Sequence, residues 1–151
     1  MSTYSRRSLL FMGSVVGAAS VLAETVTAED APRRVALSGY DPVSYFTAGR
    51  PEKGSPEFSA PFDDATYWFK SAEQRTMFVA DPDRYAPQYN GFCTVMVSRG
   101  SKREADPEAW AIMDGKLFVF GVKEGVPMFK QQTASVLGKA NDNWPGLQKA
   151  R

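Results

Sequence analysis

Histidine is absent from this chain of 151 residues, and cysteine occurs once, at Cys93. The first absence excludes a Ser-His-Asp triad, a Cys-His pair and any imidazole metal site. The second excludes an internal disulfide, so folded stability must come from packing. A surplus of charge is also lacking. With 18 basic and 17 acidic residues, the chain has no basic excess to neutralise phosphates, which argues against nucleic acid as a partner. No apolar run comfortably reaches the ~20 residues of a membrane-spanning helix. The sequence shows neither an internal repeat nor a low-complexity stretch.

What is present begins with an ordered leader. Arg6 and Arg7 are the only charges before Glu24, and Ser8 to Ala23 is rich in Leu, Val, Ala and Gly. Two small-x-Ala exits follow, Val21-Leu22-Ala23 and Val26-Thr27-Ala28. Basic start, apolar middle and small-residue exit are the parts of an export signal. Ser5-Arg6-Arg7-Ser8-Leu9-Leu10 resembles the twin-arginine consensus, an address read by the twin-arginine translocation machinery. Residues 1–28 are therefore expected to be a cleaved twin-arginine signal, and residues 29–151 one domain. The expected location is periplasmic or otherwise exported, with no stable membrane span after cleavage. Losing Arg6, Arg7 and Glu24 brings the formal charge from +1 to zero.

Within that domain, Ser38-Gly39, Asp41-Pro42 and Tyr89 to Gly91 read as turns, and Ala48 to Pro56 as an extended loop. Val43 to Phe46 suits either a strand or one helical turn. Phe58 to Phe62 and Thr66 to Phe69 read as strands, the second being β-branched and aromatic. Ser71 is a good N-cap for a helix over Ala72 to Ala80, with Gln74 placed for a capping box. Asp81-Pro82 ends that helix and opens a short turn to Tyr85. Phe92 to Val97 reads as a strand, which would send Cys93 and Met96 to opposite faces. Asp114-Gly115 between Ala111 to Met113 and Lys116 to Phe120 is a strong hairpin signal. A last helix is expected from Pro127 to Asn141, with Trp144-Pro145 pinning its end. The fold class is α+β, a small domain with one antiparallel sheet packed by two or three short helices.

Several of these segments resemble one family. They are Gly39-Tyr40-Asp41-Pro42-Val43, Tyr67-Trp68-Phe69-Lys70-Ser71, Asp81-Pro82-Asp83-Arg84-Tyr85 and Gln88-Tyr89-Asn90-Gly91-Phe92-Cys93. Trp110-Ala111-Ile112, Asp114-Gly115-Lys116-Leu117 and Asn143-Trp144-Pro145 complete the set. Together they resemble exported YHS-domain proteins over nearly all of the mature chain. The resemblance implies a metal-associated module, found freestanding or attached to metal transporters and oxygenases. The chain departs from a cysteine-and-histidine donor set: Cys93 stands in the matching Gly-aromatic-Cys position, and no histidine accompanies it.

Cys93 is the leading candidate site residue, for metal and for a cofactor. A thiolate can ligate a soft transition metal or haem, or undergo redox exchange; a buried thiol can equally be a small core hydrophobe. One thiolate needs partners, and Met96, Met113, Asp41 or a tyrosine are available. Tyr40 and Asp41 are the other candidate cofactor residues, offering a phenol and a carboxylate, although such a tripeptide with Pro42 is also a common helix-starting turn. Asp63-Asp64 lacks the further oxygens calcium requires. The expected function is a non-catalytic module binding metal or a small cofactor. Two alternatives stand beside it: a thiol-based redox protein or enzyme using Cys93, and a ligand-free accessory subunit.

Overall fold

The computed structural model describes residues 32–150, so the signal assigned to residues 1–28 lies outside the described residues. The strands are β1 (Arg34–Val35), β2 (Ser55–Phe62), β3 (Ala65–Phe69), β4 (Asp106–Met113) and β5 (Lys116–Phe120). The helices are α1 (Ser44–Thr47), α2 (Ala72–Ala80), α3 (Pro82–Tyr85), α4 (Thr94–Ser98), α5 (Gly125–Gln131) and α6 (Thr133–Lys149). The class is α+β as expected. The strands form two sheets rather than one: β2 and β1 flank β3, with β1 parallel to it, and β4 pairs antiparallel with β5. Among the described residues no helix is long and apolar enough to cross a membrane.

Local chemistry accounts for most element ends. Ser71 Oγ accepts from Gln74 N–H at 3.3 Å, which caps α2. The reciprocal half of the capping box is missing, and Gln74 Oε1 is buried without a partner. Asp81 Oδ1 accepts from Arg84 N–H, and Pro82 stands in the first turn of α3, where its missing N–H costs nothing. Asp114 and Gly115 turn the second hairpin with φ of 51° and 73°. A Cβ on Gly115 would meet no atom within 4 Å. Gly115→Ala is therefore expected to cost only the left-handed backbone penalty, about 1 kcal/mol, read as a lower urea midpoint at unchanged m-value.

Three further expectations, about individual segments, fail. Phe92 to Val97 is not a strand: Phe92 makes one bridge to Glu104, and Thr94–Ser98 is helix α4. Its β-branched residues favour a strand by propensity. Burial overrides that preference, because Thr94, Val95 and Val97 all face the core. Lys53 and Ser55 are not loop; the first bridges Tyr40 and the second opens β2. The last helix breaks at Gln132 (φ −126°, ψ 28°) and then runs on through Trp144 and Pro145 to Lys149. Trp144 packs on Tyr89 and Phe92, with ring centroids 5.6 and 6.3 Å away, which holds the helix through its proline.

The described chain contains a structural repeat that the sequence does not announce. Leu37, Ser38 and Gly39 form a left-handed turn with φ of 54°, 51° and 82°; Tyr89, Asn90 and Gly91 form another with 55°, 52° and 77°. Each turn leads into a bridged aromatic, Tyr40 to Lys53 and Phe92 to Glu104. Each is followed by a short helix and a hairpin with an eight-residue and a five-residue strand. Both hairpins slip register at the same place, between Ser55 and Ser59 and between Asp106 and Trp110. Each then buries a phenylalanine from the next helix. Phe78 leans on Tyr67 and Phe69 at 5.1 and 5.0 Å, and Phe129 leans on Phe118 and Phe120 at 5.1 and 5.2 Å. Two hydrophobic clusters result, one centred on each hairpin. The halves join where Tyr45 donates to Pro107 O at 2.9 Å and stands edge-on to Trp110.

Candidate functional site

The repeat places Asp41 and Cys93 at equivalent positions. Asp41 N–H donates to Glu52 O at 2.9 Å, and Cys93 N–H donates to Arg103 O at 2.8 Å. By the same register Ser44 corresponds to Met96, Glu52 to Arg103, and Lys70 to Gly121.

In the first half these positions are plugged by polar side chains of the chain itself. Asp41 is fully buried. Its Oδ1 accepts from Val43 N–H and its Oδ2 from Lys70 N–H, each at 2.8 Å. Burial pushes the Asp41 carboxyl above its ordinary range, and these backbone donors oppose that rise. Ser44 Oγ donates to Asp41 O at 2.7 Å and accepts from Glu52 N–H at 3.0 Å. Outside them, Glu52 takes Lys70 on one oxygen and Arg50 on the other, both at 3.0 Å. Hydrogen bonds from Lys70 and then Arg50 hold the Glu52 carboxyl below its usual range.

In the second half the plug is gone. Cys93, Met96, Arg103 and Gly121 stand in place of the aspartate, serine, glutamate and lysine. A cavity of about 400 Å3 opens there, and Cys93 lines it with only 5% of its own surface exposed. The walls include Val95, Met96, Phe120 and Met128, and the rim carries Arg99, Arg103, Glu104 and Glu124. Glycine at 121 matters here. A Cβ added to it would lie 3.8 Å from Cys93 Sγ, so the missing side chain leaves the sulfur approachable. Helical rather than extended geometry after Cys93 brings Met96 to the same cavity, reversing the expectation that the two point apart. Residues three apart share one side of a helical turn.

Of the three residues singled out from sequence, only Cys93 lies on this cavity. Asp41 is sealed inside the first half with both oxygens occupied by backbone donors. Tyr40 is half-buried beside it, bridged to Lys53 and packed against the first cluster. Met113 lines a smaller cavity of about 130 Å3 beside Tyr89 and Asn141. Met128, Arg99 and Arg103 also line the Cys93 cavity, and no motif in the sequence singles them out. The one trace of Met128 in the sequence is the pair Met128-Phe129, which repeats Met77-Phe78 at the equivalent place.

Among the described residues no group of three cysteine or carboxylate side chains is placed to hold a metal ion. A metal at Cys93 therefore depends on thioethers. The donor set of one thiol and two methionines fits a soft ion such as Cu(I), which favours sulfur, and does not fit a hard cation. Haem accepts the same sulfur donors. However, the volume lies near the lower end of the range for ligand pockets, about 300–1,000 Å3, which favours an ion or small molecule over a macrocycle. No family model, curated protein or solved structure matches this chain.

Proposed function

We propose that the protein is a non-catalytic exported binding module of YHS-domain type whose second half holds a soft transition metal. Cys93 would supply a thiolate and Met96 and Met128 two thioethers. The observation that carries this reading is the position of Cys93: it lines a cavity shared with both methionines instead of being closed off among aromatics. The first half supports the assignment by contrast, since its equivalent position is filled by a satisfied aspartate. Export rests on the leader sequence alone. A route that carries folded protein suits a module loaded before crossing.

Competition titration with a Cu(I) chelator tests the reading. The wild type is expected to bind Cu(I) stoichiometrically. Cys93→Ser should weaken binding by about a hundredfold, and Met96→Leu and Met128→Leu by about tenfold each, since these swaps keep core volume while removing sulfur donors. A protein that takes up no Cu(I), or whose uptake ignores Cys93→Ser, overturns it.

A further inference from the structure

We infer that the cavity of the second half also takes a small organic carboxylate, with its acid on Arg99 and Arg103 and its apolar body against Met96, Phe120 and Met128. This goes beyond the metal reading and does not rest on it. The internal repeat supplies the first argument. At the equivalent place in the first half the chain provides its own acids: Asp41 sits on backbone donors, and Glu52 binds Arg50 and Lys70. The second half has neither acid at these positions, and Arg103 stands with opposite charge where the first half has Glu52. The space that carboxylates fill in the first half is open cavity in the second.

The second argument is charge. Arg34 holds Glu104 at 2.9 Å and stacks its guanidinium on Phe92 at 4.0 Å, so one of the two rim carboxylates is already engaged. Arg99 and Arg103 form no ion pair among the described residues, where the pairs are Arg34–Glu104, Arg50–Glu52 and Lys70–Glu52. Two guanidiniums thus face one unengaged carboxylate, Glu124, and the rim favours an anion. Guanidinium groups suit a carboxylate in particular, because two parallel N–H donors match its two oxygens. The third argument is the lining. Val122 is 58% exposed at the rim, and the walls below are aliphatic, aromatic and thioether. Such a surface gains by covering with an apolar body, because burying apolar surface removes it from water. An acid without an apolar part would leave it wet.

Calorimetric titration of the full chain with octanoate and with octanamide at low salt tests this. The two probes share a hydrocarbon tail and differ in charge. Octanoate is expected to bind at least about tenfold more tightly than octanamide. The double variant Arg99→Gln/Arg103→Gln should abolish that preference, bringing octanoate to the affinity of octanamide. Both arginines are exposed, so the variant should fold, which an unchanged thermal midpoint would confirm. Equal affinity for the two probes, no binding of octanoate, or a preference that survives in the double variant overturns the inference. Failure of the metal reading registers elsewhere: a chain that takes up no Cu(I) leaves the octanoate result standing.

Discussion

Asp41→Ala is expected to destabilise the protein by about 3 kcal/mol, a large share of the roughly 5–15 kcal/mol available to a domain. The Asp41 carboxylate satisfies the N–H groups of Val43 and Lys70, both at 2.8 Å. Removing it strands one buried and one partly buried donor, at about 1–3 kcal/mol each, less for the second. Part of that loss is returned, because a buried carboxylate no longer has to be desolvated. Asp41→Asn should cost less, since the amide keeps one acceptor oxygen. Urea unfolding of the three proteins gives the ranking wild type, Asn, Ala. An alanine variant as stable as wild type would show that Asp41 is not a structural plug.

The same residue sets a pH dependence. Its folded pKa is raised, mainly by burial. The folded state therefore keeps its proton at pH values where the unfolded chain has lost it. Stability contributed by the protonated form is present below the unfolded value and falls as pH rises through the folded one. The slope should lie between the ordinary carboxylate value and the raised folded one, and be absent from Asp41→Asn. Because Glu52 titrates in the opposite sense, held down by Lys70 and Arg50, comparison with that variant isolates Asp41.

Where the chain chemistry is local, the sequence discloses the structure. Ser71 caps α2, Asp81-Pro82 separates two helices, and Asp114-Gly115 turns a hairpin, because each depends on residues a few positions apart. Where packing decides, it does not. Thr94, Val95 and Val97 have the propensity of a strand, yet the turn at Gly91 and burial against the second cluster wind them into α4. That single error of period hid the site, since a strand separates Cys93 from Met96 and a helix joins them. The repeat was equally hidden. It is preserved in left-handed turns, register slips and ring packing, which tolerate wide changes of residue. The positions that differ most are the polar plug itself: Asp41, Ser44, Glu52 and Lys70 against Cys93, Met96, Arg103 and Gly121. No motif marks those exchanges as related until the backbone superimposes their roles.

Gly54→Ala should be as damaging, and the repeat supplies its control. A Cβ on Gly54 would fall 2.5 Å from the carbonyl carbon of Trp68, 2.6 Å from its oxygen and 2.8 Å from Phe69 N. These are backbone atoms of the neighbouring strand β3, so no side-chain rotation can clear them. Relief requires moving Gly54 away from β3, which strains the hydrogen bond its N–H donates to Gly39 O at 2.9 Å. Overpacking of side chains costs about 1–3 kcal/mol, and a clash with backbone belongs at or above the top of that range. The equivalent position of the second half holds Ala105, which is buried there without such a conflict. Ala105→Gly should lose only a buried methyl and some backbone restriction, about 1–2 kcal/mol. The two halves thus hold different residues at one register position, and only at Gly54 does β3 leave no room for a Cβ. Thermal unfolding of both variants decides the point. A Gly54→Ala protein no less stable than Ala105→Gly would mean that the first half can open as the second does, and its closed plug would no longer separate a structural half from a binding one.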